Sequence, residues 1–276
     1  MRSARFGLLS CFLLLNNSAW PQQTASALTS QSQPVQKDGA AIAILGHMVG
    51  ATGWNSASLP SDVVASGTMV LSTRDDSQVF SVTYKLKGVY QTISELATGR
   101  GTSKTIFNGK NAATVLPDGT VSALPSYLAR SMRQMIFPFM TQITNSGASD
   151  ISVGFAGTLQ INGTLCNGVA LAHHLDRTDP LAFVEDLASP MTVWVSSATG
   201  LPVRIDYVLT ATDNYKVLFH LSRTFSDYRL IDGVAVPFHQ EETTEGQRSI
   251  VLDLKTIQFN SGLTDVDFYV PTQGGR

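Results

Sequence analysis

The chain has 276 residues and carries 19 Lys and Arg against 21 Asp and Glu, a formal charge of −2. That balance leaves no basic footprint for nucleic acid. The 2 cysteines cannot build a disulfide framework, and a chain of this length buries enough surface to fold without one.

Residues Met1 to Ala27 read as an export signal. Arg2 and Arg5 precede an apolar stretch from Phe6 to Leu15, and Ala25-Ser26-Ala27 offers a small-residue cleavage site, with cleavage after Ala19 as the alternative. The apolar stretch is too short to span a bilayer. Cys11 lies inside it and not just after it, which argues against a lipid-modified N-terminal cysteine. Losing the signal removes two arginines and no acid, so the charge becomes 17 − 21 = −4 and Cys166 is the remaining cysteine. The expectation is a periplasmic or secreted monomer with no transmembrane segment in the mature chain. Cys166, close to Asn162-Gly163, reads as a packed thiol and not a nucleophile.

Residues 28–37, rich in Ser, Gln and Thr, read as a flexible leader. Asp38 then caps a predicted helix to about Val49, with Ala41, Ile42, Ile44, Leu45, Met48 and Val49 as its apolar face and Gly50 as its stop. After a loop from Trp54 to Pro60, alternation predicts strands at 66–73, 79–87, 90–97, 103–107 and 112–115. Pro125 opens a second predicted helix to about Thr144. Leu128, Met132, Met135, Ile136, Phe139, Met140 and Ile143 recur on one side of it, and Pro138 breaks it. Strands resume at 151–161, 165–176, 191–196, 201–212, 215–225, 234–243 and 249–259, before a short closing segment at 267–271. Asn108-Gly109, Asp118-Gly119, Asn162-Gly163 and Asp232-Gly233 carry the preferred chemistry of hairpin turns, so neighbouring strands are antiparallel. Asn162-Gly163-Thr164 also matches a glycosylation sequon, but the hairpin already explains it. No linker divides residues 38–276, which are expected to form one domain.

Catalytic motifs are missing from this sequence. There is no phosphate-cradling glycine loop, Gly-x-Ser-x-Gly elbow, Cys-x-x-Cys pair or His-Glu-x-x-His helix. His173 and His174 are adjacent in a strand pattern and point to opposite faces, so they cannot chelate one metal together. His174 and Asp176 share a face to which His220 or His239 could be added, and His47 sits beside the apolar face of the first helix. A structural role is the simpler reading for each. The pairs Asp75-Asp76, Glu185-Asp186 and Glu241-Glu242 fall at predicted turns or strand ends, where solvated acids are ordinary. A glycosidase would need two carboxylates facing across a cleft, and nothing in the spacing requires that. No cofactor, metal site or catalytic residue is therefore expected.

The segment Ala198-Thr-Gly-Leu-Pro-Val-Arg204, the block Tyr228-Arg-Leu-Ile-Asp-Gly-Val-Ala-Val-Pro-Phe238 and the closing Phe259-Asn260 with Asp267-Phe268 resemble the LolA/LolB-like superfamily, which includes periplasmic lipoprotein carriers and the RseB/MucB-type regulators. The resemblance covers most of the mature chain. It implies a mainly β fold with helices (α+β), a strongly curved antiparallel half-barrel wrapped around an N-terminal helix and an inserted helix. It also implies an apolar concave cavity that receives acyl chains and an arginine near that cavity, for which Arg100 and Arg204 are candidates. The 116–150 insert departs from the carriers. On the residues themselves, Phe80, Val82, Tyr84 and Leu86 share one strand face, as do Val203, Ile205, Tyr207 and Leu209, and Val217, Phe219 and Leu221. The expected cavity lining is Phe80, Tyr84, Leu86, Met132, Met135, Ile136, Phe139, Tyr207, Phe219 and Phe238. The function expected is non-enzymatic binding of a lipid or lipidated protein. The alternative is an envelope-sensing module that fills its own cavity and binds a protein partner.

Overall fold

A computed structural model of the protein describes residues 23–24, 35–54, 59–73, 76–88, 90–109, 111–125, 136–137, 143, 146–174, 189–211, 214 and 216–272. The first helix, α1, spans Gly39–Thr52. Asp38 caps it by accepting from the Ala40 and Ala41 N–H groups at 2.8 and 3.0 Å. Gly50, the expected stop, lies inside the helix, which runs on to Gly53 in the left-handed conformation at φ 73°. Ala41, Leu45, Met48 and Thr52 form its buried stripe. That stripe is narrower than expected, since Ile42 is 48% exposed.

The strands are β1 (Gln23–Thr24), β2 (Asp62–Ser72), β3 (Ser77–Lys87), β4 (Gln91–Thr98), β5 (Gly101–Asn108), β6 (Ala112–Val115), β7 (Val121–Ala123), β8 (Ile151–Ile161), β9 (Thr164–His173), β10 (Met191–Ser196), β11 (Pro202–Thr210), β12 (Val217–Ile231), β13 (Val234–Thr244) and β14 (Gln247–Phe259). They run β7-β6-β5-β4-β3-β2-β14-β13-β12-β11-β10-β9-β8 in one antiparallel sheet, with β1 beside the start of β12. Two meanders, β2 to β7 and β8 to β14, are thus zipped together by the pairing of the last strand with the first long one, from Ile250↔Leu71 to Phe259↔Val63. Among the described residues β7 and β8 do not pair with each other, so the sheet is open. The fold is mainly β with a helix, a curved half-barrel-like sheet, as the sequence leads one to expect.

Most strands fall where alternation puts them. Two departures have physical causes. The strand expected to stop at Phe225 continues to Ile231 in unchanged register with β13, past Asp227, which takes φ 50° and whose carboxylate accepts from Arg229 Nη2 at 2.6 Å. The β13–β14 turn, which carries no Asn or Asp, is Glu245-Gly246 at φ 49° and 78°, matching the 48° and 81° of Asn162-Gly163. At the other end of the leader, residues 36–38 are not loose: Asp38 N–H donates to the Val153 carbonyl at 2.9 Å, and Val153 N–H donates to Gln36 at 2.8 Å, in parallel with edge strand β8. The second predicted helix lies outside the described residues except for Pro125, which is exposed, and Ile136, Phe137 and Ile143, which join the core.

The junction of the meanders is held by Asp62. Its carboxylate is 2% exposed and accepts from Ser261 N–H at 2.7 Å, Gly262 N–H at 3.1 Å, Leu263 N–H at 3.2 Å and the Ser61 and Ser261 hydroxyls. This nest turns the chain after β14 onto the outer face, where Phe268 in a single 3-10 turn, Asp265–Phe268, covers Ile93 and Ile106. Burial alone pushes the Asp62 carboxyl up, but the bonds from Ser261, Gly262 and Ser61 outweigh it and hold it below the ordinary carboxylate range. The folded pKa is depressed, so this stabilisation is complete above the unfolded value and is lost as pH falls through the folded one. Replacing Asp62 by Ala should cost about 3 kcal/mol in urea unfolding at neutral pH, because three backbone donors lose a charged acceptor. The difference from the parent protein should shrink in acid.

Candidate functional site

The inner face of the sheet brings together every described residue of the expected lining. Phe80, Tyr84 and Leu86 on β3, Tyr207 on β11, Phe219 on β12 and Phe238 on β13 share one buried cluster with Ile136. The cluster also takes in Ala41, Leu45 and Met48 of α1, so the helix lies against this face. Met132, Met135 and Phe139 lie outside the described residues. Ile136 and Phe137 are almost fully buried, with Phe137 meeting the Trp54 ring edge-on at 4.3 Å between centroids. Gln240 Nε2 donates to the Ile136 carbonyl at 3.2 Å, while its Oε1 is buried without a partner. The inner face is therefore covered by the chain itself in this structure.

It is not uniformly apolar. Arg223 on β12 and Glu242 on β13 stand directly opposite in the ladder and point inward, with side chains 4% and 5% exposed. Glu242 Oε2 accepts from Arg223 Nε at 2.9 Å, from Arg223 Nη2 at 2.5 Å and from the Tyr207 hydroxyl. Burial works against the Arg223 charge, but Glu242, with Tyr207 and Tyr84 nearby, more than restores it. The Tyr84 hydroxyl also reaches Met69 Sδ at 3.6 Å. Toward the β7 end the same face is lined by hydroxyls: Thr92, Ser103, Thr105 and Thr114 are all buried, and Thr105 meets Thr114 at 3.3 Å.

This corrects two expectations. Glu242 is not a solvated strand-end acid but sits within β13 with its carboxylate facing inward. Among the described residues the arginine of the inner face is Arg223 and neither earlier candidate: Arg100 is exposed in the β4–β5 turn, and Arg204 projects from the outer face. The signal was present in the sequence. Val217, Phe219 and Leu221 share a face, and the next residues on it are Arg223 and Phe225.

His220 and His239 lie on the outer face, while His173 continues the inward row of Val169 and Leu171 at the end of β9. His173 and His174 do project oppositely: His173 Nε2 lies 2.7 Å from Asp150 Oδ2, and His174 Nε2 lies 2.8 Å from Ser152 Oγ. Asp176 is outside the described residues, and His47, expected beside the buried stripe, is exposed. Among the described residues no group of three His, Cys, Asp or Glu side chains is placed to hold a metal. His239 is bracketed by carboxylates, with Nδ1 at 2.6 Å from Asp253 and Nε2 at 3.2 Å from Glu241. A second polar centre of the outer face joins Trp194, Arg204, Asp206 and Ser222. Asp206 accepts from Trp194 Nε1 at 2.6 Å, from Arg204 Nη2 at 2.9 Å and from the Ser222 hydroxyl. It borders a cavity of about 740 Å³ that opens on this face and not on the concave one.

No family model matches the sequence, and no curated protein matches it. Solved structures do. A protein described as an outer membrane lipoprotein-sorting domain, from Vibrio parahaemolyticus, superposes with a TM-score of 0.57 at 15% identity, over 83% of this chain and 97% of its own. A DUF1329 family protein from Desulfovibrio piger gives 0.56 at 14% identity, over 83% and 97%. A LolA superfamily protein from Nitrosomonas europaea gives 0.55 at 14% identity, again over 83% and 97%. The protein thus has a LolA-like fold. Among the described residues, no helix is long and apolar enough to cross a membrane.

Two outcomes test the polar centres. Glu242→Gln leaves Arg223 buried without its counter-charge and should cost about 3–5 kcal/mol in urea unfolding, whereas Arg223→Met combined with Glu242→Leu should recover most of that loss. For His239, the hydrogen bond to Asp253 raises the pKa, burial opposes it, and Glu241 adds to the rise. A raised folded pKa means that its stabilisation is complete below the unfolded value and lost as pH rises through the folded one. NMR titration should find the His239 imidazole still protonated above pH 6.5, the ordinary value, and in Asp253→Asn it should titrate lower.

Proposed function

We propose that the protein is an exported, non-enzymatic carrier that binds a lipid or another acyl-bearing, lipoprotein-like ligand against the inner face of its half-barrel. The observation that carries this reading is the inner face itself. It is broad and apolar, among the described residues it is covered by one helix and by Ile136, Phe137 and Ile143 with no second sheet over it, and a charged pair is set into it. The proposed lining for acyl chains is Phe80, Tyr84, Leu86, Tyr207, Phe219 and Phe238 on the sheet, with Met132, Met135, Ile136 and Phe139 from the segment between β7 and β8. Arg223 and Glu242 lie where the polar part of such a ligand would sit. The likeness to the Vibrio lipoprotein-sorting domain supports the reading through the fold. The active form is a periplasmic or secreted monomer, a single domain over residues 38–276 once the signal is removed. Its partner is a lipid or a lipidated protein.

A second reading is an envelope-sensing module whose inner face is permanently self-filled and whose partner is another protein. The near-complete burial of Ile136 and Phe137 favours it.

One experiment separates the two. Protein purified from its own envelope, carrying Trp20→Phe and Trp194→Phe so that Trp54 reports alone, is examined by native mass spectrometry and then titrated with a fluorescent fatty acid. A carrier should show acyl adducts, and uptake should shift Trp54 emission because Phe137 leaves its ring. Gln240→Leu, which frees the Ile136 carbonyl, should increase uptake. Apo protein alone, no uptake, and a protein partner retained after delipidation would overturn the carrier reading in favour of the sensor.

A further inference from the structure

The way α1 is seated on the inner face limits how a ligand can occupy that face. As a helix on its own α1 is weak. It has 14 residues, and Gly46 and Gly50 lie in its interior, where a Cβ would meet nothing within 4 Å. Glycine is among the poorest helix formers, and a segment this short is marginal in water even with good ones. Released from the sheet, it would melt and not swing aside as a rigid lid.

Its seat is what keeps it helical, and the seat holds both ends. At the start, the Asp38 carboxylate caps the helix while the Asp38 N–H donates to the Val153 carbonyl of β8 at 2.9 Å. At the other end two turns of the sheet close on it. A Cβ on Gly53 would stand 2.2 Å from the Gly233 carbonyl oxygen in the β12–β13 turn. One on Gly200, in the β10–β11 turn, would stand 2.8 Å from Ala51 Cβ and 2.9 Å from His47 Cε1. Gly53 and Gly200 both take φ 73°, so close approach and left-handed backbone ask for glycine at the same two places. Between the ends Ala41, Leu45, Met48 and Thr52 are buried, and the helix lies against β8, β9 and β13. The seat therefore reaches from the edge strand β8 to β13, well inside the sheet. Lifting α1 would break the cap contact to β8, open both turn contacts and expose the buried stripe at once.

We propose that α1 is a fixed wall of the acyl site, so that a ligand on the inner face lies beside the seated helix and does not take its place. This rests on the carrier reading and adds to it which part of the cover stays.

The test uses the full exported chain with oleate as the probe. Spin labels on Ile42→Cys and Val79→Cys, both at exposed positions, report the distance from α1 to the sheet, and Cys166 is buried, which leaves labelling to the introduced pair. Oleate should change that distance by no more than about 2 Å, the range of ordinary helix adjustments. Hydrogen exchange tests the seat without a ligand: the amides from Leu45 to Thr52 should be protected to within about tenfold of those in β13. Gly200→Ala should speed α1 exchange by about tenfold or more relative to Gly246→Ala, because Gly246 has a similar φ of 78° but nothing within 4 Å of an added Cβ. A larger distance change with oleate, α1 amides that exchange faster than that limit, or equal exchange in the two variants would each overturn the proposal. The first two hold even where Gly200→Ala does not fold. If no oleate binds, the carrier reading fails and the fixed wall with it, whereas oleate bound with α1 displaced sinks the fixed wall alone.

Discussion

An open sheet with one apolar face has to cover that face, and this requirement organises the rest of the molecule. Along the strands, large apolar residues alternate with polar ones, so the two sides of the same backbone differ in their need for water. Curvature brings the apolar sides together, and among the described residues α1 with Ile136, Phe137 and Ile143 packs against them. The closure depends on β14 returning beside β2, because only that pairing joins the two meanders into one surface. Asp62 stands at this junction, and its nest of donors aims the chain end across the outer face onto Ile93 and Ile106. A patch that would otherwise stay exposed on the wrong side is thereby covered.

Within that apolar face the Arg223–Glu242 pair is costly to keep. Two charges lose their hydration, and their attraction repays it only because the geometry is close and Tyr207 adds a third donor to the same oxygen. An apolar pair would fill the space as well. What the ions add is register. They face each other across β12 and β13, and a one-residue slip of either strand would turn its own charge outward, leave the other buried alone and bring that strand's outer residues into the core. A fixed point in this long hairpin therefore has a structural use whether or not a ligand meets it.

Much of this was legible from period and turn chemistry. Strands β6, β8 and β10 fall on the residues that alternation assigns, and the Asn-Gly and Asp-Gly turns mark where the chain reverses. Three features were hidden for different reasons. Glu245 in a left-handed turn looks like any charged residue, because the context and not the side chain imposes its φ. β7 has three residues, too few for a period to show. Arg223 was masked by habit, since a charge in a strand is first read as solvated. Continuing the count from Val217 through Phe219 and Leu221 puts it inside, and counting from Val236 through Phe238 and Gln240 puts Glu242 beside it. The opposing parities of His173 and His174 could be read in the same way, but their partners, Asp150 and Ser152, could not, because they come from the start of another strand.

The alternation that builds the core also separates chemistry in space. Arg204 and Ile205 are consecutive, yet one stacks on Trp194 in the outer groove while the other is sealed in the core. Asp206 and Tyr207 divide in the same way, the first gathering Trp194, Arg204 and Ser222, the second reaching Glu242. Strand β11 therefore supplies residues to both polar centres, and β12 does the same with Ser222 and Arg223. The two centres lie back to back across one layer of backbone. A change in strand spacing large enough to admit a ligand on the inside would be felt through those two strands by the groove on the outside.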